Sequence, residues 1–147
     1  MAASYLPHIA AVALALTSGQ SYAAPIPPNS LVMLWAAWCA PCRVEVVEFE
    51  RLSAATKPRT TMVLALDDAP SSRALLTSLP PEKLRVTTET LPALYRRLGI
   101  GGPIALPVSL MTDAQGRICA TIRGGATVAR IALANERCAA RAHAAKR

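Results

Sequence analysis

Leu31-Val32-Met33-Leu34-Trp35-Ala36-Ala37-Trp38-Cys39-Ala40-Pro41-Cys42 joins an apolar run to two cysteines three positions apart. The length of Leu31–Ala36 suits a strand buried on both faces, as in the middle of a mainly parallel sheet. A helical pattern follows from about Pro41 to Ala55. There Val46, Phe49 and Leu52 recur at a spacing of three and share one face. Pro41 fits the first helical turn, where no backbone N–H is needed. Lys57-Pro58 ends the pattern.

Two cysteines opening a helix after a buried strand form a redox site for a physical reason. The first turn leaves backbone N–H groups unpaired, and the helix dipole adds partial positive charge there. Both favour thiolate over thiol, lowering a cysteine pKa from ~8.5 toward roughly 3.5–7.5. The thiolate attacks a disulfide. Cys42, almost one turn on, is placed to attack the resulting mixed disulfide and release product. The competing reading is half of a zinc site. It needs two more ligands, and the sequence offers none at suitable spacing: Cys119 and Cys138 are not a CxxC pair, His8 is near the N-terminus and His143 in the tail. No metal is expected, and no cofactor beyond a Cys39–Cys42 disulfide.

Downstream, Thr60–Leu66 reads as a second buried strand, closed by Asp67-Asp68-Ala69-Pro70. Ser71 or Ser72 is a candidate cap for a short helix through Leu79. Pro80-Pro81 stops it. Leu84–Val86 reads as a short strand and Leu91–Leu98 as a helix ended by Gly99. Leu106–Thr112 and Arg117–Arg123 read as strands joined by the turn Asp113-Ala114-Gln115-Gly116. Gly124-Gly125 breaks the chain, and Thr127 is a candidate cap for a final helix of about sixteen residues. Early βα alternation requires a parallel core, and the late hairpin adds an antiparallel edge. The expected fold is α/β: a three-layer sandwich with a mixed sheet of four to five strands and helices on both faces, the thioredoxin-like arrangement.

With 147 residues the chain is sized for one domain. Its 52% apolar and 17% charged composition excludes a disordered chain. The net charge of +7 comes from scattered arginines without interleaved aromatics. Its densest set, Arg137, Arg141, Lys146 and Arg147, reads as a solvated helix face and tail, with an acidic partner or anionic lipid surface as the alternative. No nucleic-acid partner is expected.

No Lys, Arg, Asp or Glu precedes Arg43. Ile9–Leu16 is a short apolar run followed by Thr17-Ser18-Gly19-Gln20 and then Ser21-Tyr22-Ala23. This resembles a secretory signal with small residues before a cleavage point after Ala23. The run is shorter than the ~20 residues of a spanning helix, so no transmembrane segment is expected in the mature chain. Residues 1–23 therefore read as a signal peptide, 24–30 as a proline-rich linker and 31–147 as the domain. Periplasmic or other exported location follows, where paired cysteines persist as disulfides. Cys138 lies seven residues past Ile131 on one face of the last helix, and Cys119 on the strand after the hairpin. With an even cysteine count and export, the pair is expected to form a structural disulfide closing a loop of about 20 residues. Two buried free thiols or a redox relay are the alternatives.

Leu34–Glu45, Leu106-Pro107-Val108 and Asp113–Ile118 together resemble periplasmic thioredoxin-like proteins of the TlpA, DsbE and ResA kind, over about Leu31 to Arg123. The resemblance implies that Pro107 is a cis-proline beside the CxxC, with Pro103 the competing candidate. It implies that Leu106 offers its backbone to a substrate strand and that Trp38 shields the dithiol and meets partners. Glu45 matches a glutamate that would relay the proton of Cys42. Two departures stand out. Met33 occupies the place of thioredoxin's buried Asp, leaving Glu45 as the nearest acid. Val47 replaces a proline, so the helix is expected to lack the family's kink. The chain also has little room for the family's N-terminal β-hairpin. The implied function is an exported thiol–disulfide oxidoreductase acting on protein thiols, a reductase of the cytochrome c maturation type kept reduced by a membrane thiol donor. A Cu(I) metallochaperone using the same thiols is the alternative.

Overall fold

The computed structural model describes residues 26–145 and 147. The signal-peptide reading and its cleavage after Ala23 lie outside the described residues. Strand β1, Ser30–Trp35, is buried at every position. It lies at the centre of a five-stranded sheet in the order β3-β2-β1-β4-β5. β2 is Thr60–Ala65 and β3 is Leu84–Val86, and these run parallel to β1. β4, Val108–Thr112, pairs antiparallel with β1, and β5, Ile118–Arg123, pairs antiparallel with β4.

The two-residue period of β1 divides its side chains between two cores. Leu31, Met33 and Trp35 face one core with α1 (Ala40–Val47), α2 (Phe49–Thr56) and α5 (Val128–Ala144). Val32 and Leu34 face the other with Leu94 and Tyr95 of α4, Leu91–Leu98. Helices on both sides of a mixed sheet make the three-layer sandwich that the order of elements implied. Leu76 of α3, Pro70–Leu76, joins the first core.

Two local expectations need correction. The helix after the cysteines is bent, not straight. α1 and α2 are separated at Glu48, with φ −88° and ψ 5°. Main-chain hydrogen bonding continues across the bend, Glu48 N–H to Val44 C=O at 3.1 Å and Leu52 N–H to Glu48 C=O at 3.0 Å. No proline causes the bend. β-branched Val44, Val46 and Val47 lie in the turn before it, where such residues have lower helix propensity. Cys42, Glu45, Val46, Phe49, Leu52 and Thr56 are buried along α1 and α2. The second correction concerns α3. Its N-cap is Ala69, neither Ser71 nor Ser72, and it ends at Leu76 instead of Leu79. Ser72 sits inside the helix and donates to Asp67 Oδ1, which also accepts from Ala69 N–H at 3.1 Å. Asp67 thus closes the helix start from outside.

The β4–β5 pairing carries an irregularity. Met111 pairs with Ala120, but Thr112 pairs with Ile118, so Cys119 is an extra residue. Such a bulge breaks the alternation of faces. Cys119 and Ala120, adjacent in sequence, therefore both reach the core under α5. There Cys119 meets Cys138, and the two are joined by a disulfide with Cα atoms 4.9 Å apart.

Candidate functional site

β1 ends at Trp35, and a tight turn brings Cys39 N–H to Ala36 C=O at 3.0 Å. Cys39 then takes the N-cap position of α1. Its Sγ accepts the backbone N–H of Cys42 at 3.3 Å, one of the donors a helix start leaves free. Pro41 lies in the first turn. Cys39 and Cys42 are joined by a disulfide with Cα atoms 5.3 Å apart. Cys39 is 4% exposed and Cys42 0%, while Trp38 beside them is 70% exposed. The pair lies under the surface next to an apolar ring in solvent. Val44 and Val47 extend the exposed apolar surface along α1.

β4 begins beside the C-terminal end of β1, with Val108 paired to Leu34. The peptide bond immediately before β4, Leu106–Pro107, is cis; the cis bond falls at Pro107 and not at Pro103. Leu106 packs against the core that holds Cys39 and Cys42. A second cis bond, Lys57–Pro58, ends α2 far along the chain.

Glu45 is one turn past Cys42 and is buried, at 5% exposure. Its Oε1 accepts the N–H of Ala126. Burial pushes its carboxyl above the usual carboxylate range, and the Ala126 N–H partly opposes that shift. A carboxyl so placed takes up a proton more readily than an exposed one.

In the sequence, the turn that supplies Ala126 shows only the chain break Gly124-Gly125. It is part of the site. Gly124 N–H donates to Pro107 C=O at 3.1 Å. Gly125 has φ +101°, and a Cβ there would stand 3.8 Å from the Pro107 ring and 3.9 Å from Glu45 Oε1. Left-handed backbone is what glycine supplies without steric cost. Arg130, in the first turns of α5, donates from one nitrogen to the carbonyls of Arg123, Gly124 and Gly125 at 3.1, 2.7 and 2.8 Å. The doublet Gly124-Gly125 was the only available signal. The partners of Arg130 are main-chain atoms, which no residue type announces.

The other cysteine pair is elsewhere. Cys119 and Cys138 are 4% and 2% exposed, on β5 and α5. Among the described residues no group of three or more His, Cys, Asp or Glu side chains converges as a metal site. No described helix is long and apolar enough to cross a membrane.

No protein-family model matches the chain. Solved structures do. A thioredoxin-related protein from Neisseria meningitidis serogroup B matches at TM-score 0.55 and 24% identity, over 81% of this chain and 91% of that one. A putative thiol:disulfide interchange protein DsbE from Chlorobium tepidum matches at TM-score 0.54 and 24% identity, over 79% and 81%. The exposed lipoprotein thioredoxin of Streptococcus pneumoniae matches at TM-score 0.54 and 15% identity, over 76% and 87%. The sheet order, the strand–CxxC–helix junction and these likenesses agree that the chain has the thioredoxin-like fold.

Proposed function

We propose that this chain is an exported thiol–disulfide oxidoreductase acting on protein substrates through Cys39 and Cys42. The observation that carries the reading is the N-cap position of Cys39, with its sulfur on the Cys42 N–H. That donor and the helix dipole stabilise a thiolate at Cys39 over one elsewhere in the fold. The neighbour from Chlorobium tepidum is described as a thiol:disulfide interchange protein, which supports the same chemistry here.

In the reducing direction, Cys39 thiolate attacks one sulfur of a substrate disulfide. A Cys39–substrate disulfide forms, and the first substrate thiolate leaves. Cys42 gives its proton to Glu45, and its thiolate attacks Cys39 Sγ. The Cys39–Cys42 disulfide forms and the second substrate thiolate leaves. The substrate gains two electrons and the enzyme loses two. An external dithiol returns them. Leu106 and cis-Pro107 hold the substrate backbone, and exposed Trp38 meets the partner surface.

The finer reading is a reductase of the cytochrome c maturation type, recharged by a membrane thiol donor and located in the periplasm after removal of residues 1–23. Its support is the signal-like N-terminus and the sequence resemblance. Insulin reduction by dithiothreitol, catalysed by wild type and by Cys39→Ser, tests the chemistry. The expected result is loss of catalysis in Cys39→Ser. Equal rates in both overturn the proposal.

A further inference from the structure

We infer that Arg130 is a positioning residue for this site, clamping the 123–126 turn so that it holds both Glu45 and Pro107. The inference rests on the proposed exchange reaction for its consequence, but on separate geometry for its content. One guanidinium nitrogen of Arg130 reaches three successive carbonyls, those of Arg123, Gly124 and Gly125. Charge-assisted donors of this kind make stronger hydrogen bonds than neutral ones. Between and after those carbonyls the same turn presents two N–H groups to the site. Gly124 N–H binds the carbonyl of Pro107, and Ala126 N–H binds the carboxylate of Glu45. The turn is therefore held by Arg130 through its acceptors and holds the site through its donors.

Positive φ at Gly124 and Gly125, +72° and +101°, lets three successive carbonyls turn to the same side, toward Arg130. Without side chains at these two positions the segment has wide conformational freedom of its own. The guanidinium supplies the restraint that glycine lacks. Arg130 itself belongs to α5 and sits three residues past Thr127, whose hydroxyl caps that helix by accepting from Arg130 N–H at 3.2 Å. The clamp is thus anchored to a helix packed across the sheet.

The consequence concerns the proton on Glu45. Burial and the Ala126 N–H are the influences acting on its carboxyl. The charged groups nearest in the chain are Glu48 on the adjoining turn of its own helix, Arg130 on α5, held by the turn's carbonyls, and Arg123 at the end of β5, whose guanidinium is engaged by the carbonyls of Gly101 and Pro103. No ion pair to Glu45 forms among the described residues. Releasing the turn withdraws the Ala126 donor and leaves burial unopposed. The protonated carboxyl is then favoured further, and Glu45 acts as proton acceptor only at higher pH.

The test uses wild type, Arg130→Ala and Arg130→Lys. Glu45 is titrated in the reduced proteins by carboxyl-carbon NMR, its signal assigned by its loss in Glu45→Gln. The pH profile of insulin reduction is measured alongside. In Arg130→Ala the Glu45 midpoint is expected to rise by about one pH unit, the order of one lost hydrogen bond to a charged group. The acidic limb of the rate profile is expected to move with it. Arg130→Lys, which keeps a cationic donor, is expected to restore most of both shifts. A midpoint and limb unchanged in Arg130→Ala overturn the inference while leaving the exchange reaction intact. Absence of exchange in wild type overturns the proposed function instead, and the Glu45 titration still decides the clamp.

Discussion

The two cysteine pairs of this protein have the same covalent chemistry and opposite surroundings. Cys39 caps a helix, and its sulfur accepts a backbone N–H. Cys119 lies on a bulged edge of β5, and its sulfur stands 3.3 Å from the Met111 carbonyl oxygen. An N–H favours the anion that must form when a disulfide opens; a carbonyl oxygen opposes it. Sequence separation differs as well, 3 for the first pair and 19 for the second. A longer loop loses more denatured-state entropy on closure, so the second pair stabilises the fold more. The neighbours differ in the same direction. Exposed Trp38 directly precedes the first pair, whereas the second joins a β-strand to a helix. The lesson is that thiolate stabilisation, not the presence of a disulfide or its exposure, separates the pair proposed for exchange from a structural one.

The contrast can be broken from either side. The largest effect is expected from Cys39→Ser, which removes the attacking sulfur and abolishes insulin reduction while leaving the thermal transition near that of wild type. Replacing Cys119 and Cys138 together by Ala is expected to do the reverse. Stability falls by about 3 kcal/mol in denaturant titration, the magnitude for a loop of about 20 residues, and insulin reduction persists under folded conditions. If the double variant loses catalysis without losing stability, the assignment of roles is inverted.

Glu45→Gln sharpens the picture with a smaller, pH-dependent effect. Burial raises the folded-state pKa of Glu45 above its unfolded value. The folded state then holds the proton more tightly, so stability is greatest below the unfolded pKa and declines as pH rises through the folded one. Glutamine mimics the protonated form at every pH. Relative to wild type, Glu45→Gln is therefore expected to gain stability as pH rises from 4 to 8 and to show no gain at the acid end. A gain that is independent of pH contradicts a buried, proton-accepting Glu45. Insulin reduction by the same variant is expected to slow, since Cys42 loses its proton acceptor.

The sequence was most legible where periodicity and chemistry coincide. The apolar run Leu31–Ala36 is the central strand because every one of its side chains meets a core. Thr127 caps α5 through its hydroxyl, as a short polar residue before a helical pattern does. Legibility failed where main-chain geometry decides. Val47 in place of proline pointed to a straight helix, but the chain bends at Glu48 without one. Ser71 and Ser72 had the chemistry of a cap, yet Asp67, upstream, reaches the turn first. The bulge that delivers Cys119 to Cys138 leaves no residue signature at all. The same holds for Arg130, whose side-chain contacts are carbonyls five to seven positions upstream.

The most direct measurement is a redox titration in glutathione buffers, with each cysteine followed by alkylation and peptide mass spectrometry. Two separate transitions are expected. Cys39 and Cys42 become alkylated together under mildly reducing conditions, and Cys119 and Cys138 only under much stronger reduction or on unfolding. Alkylation of Cys119 and Cys138 at the same potential as Cys39 and Cys42, or before them, would contradict this expectation.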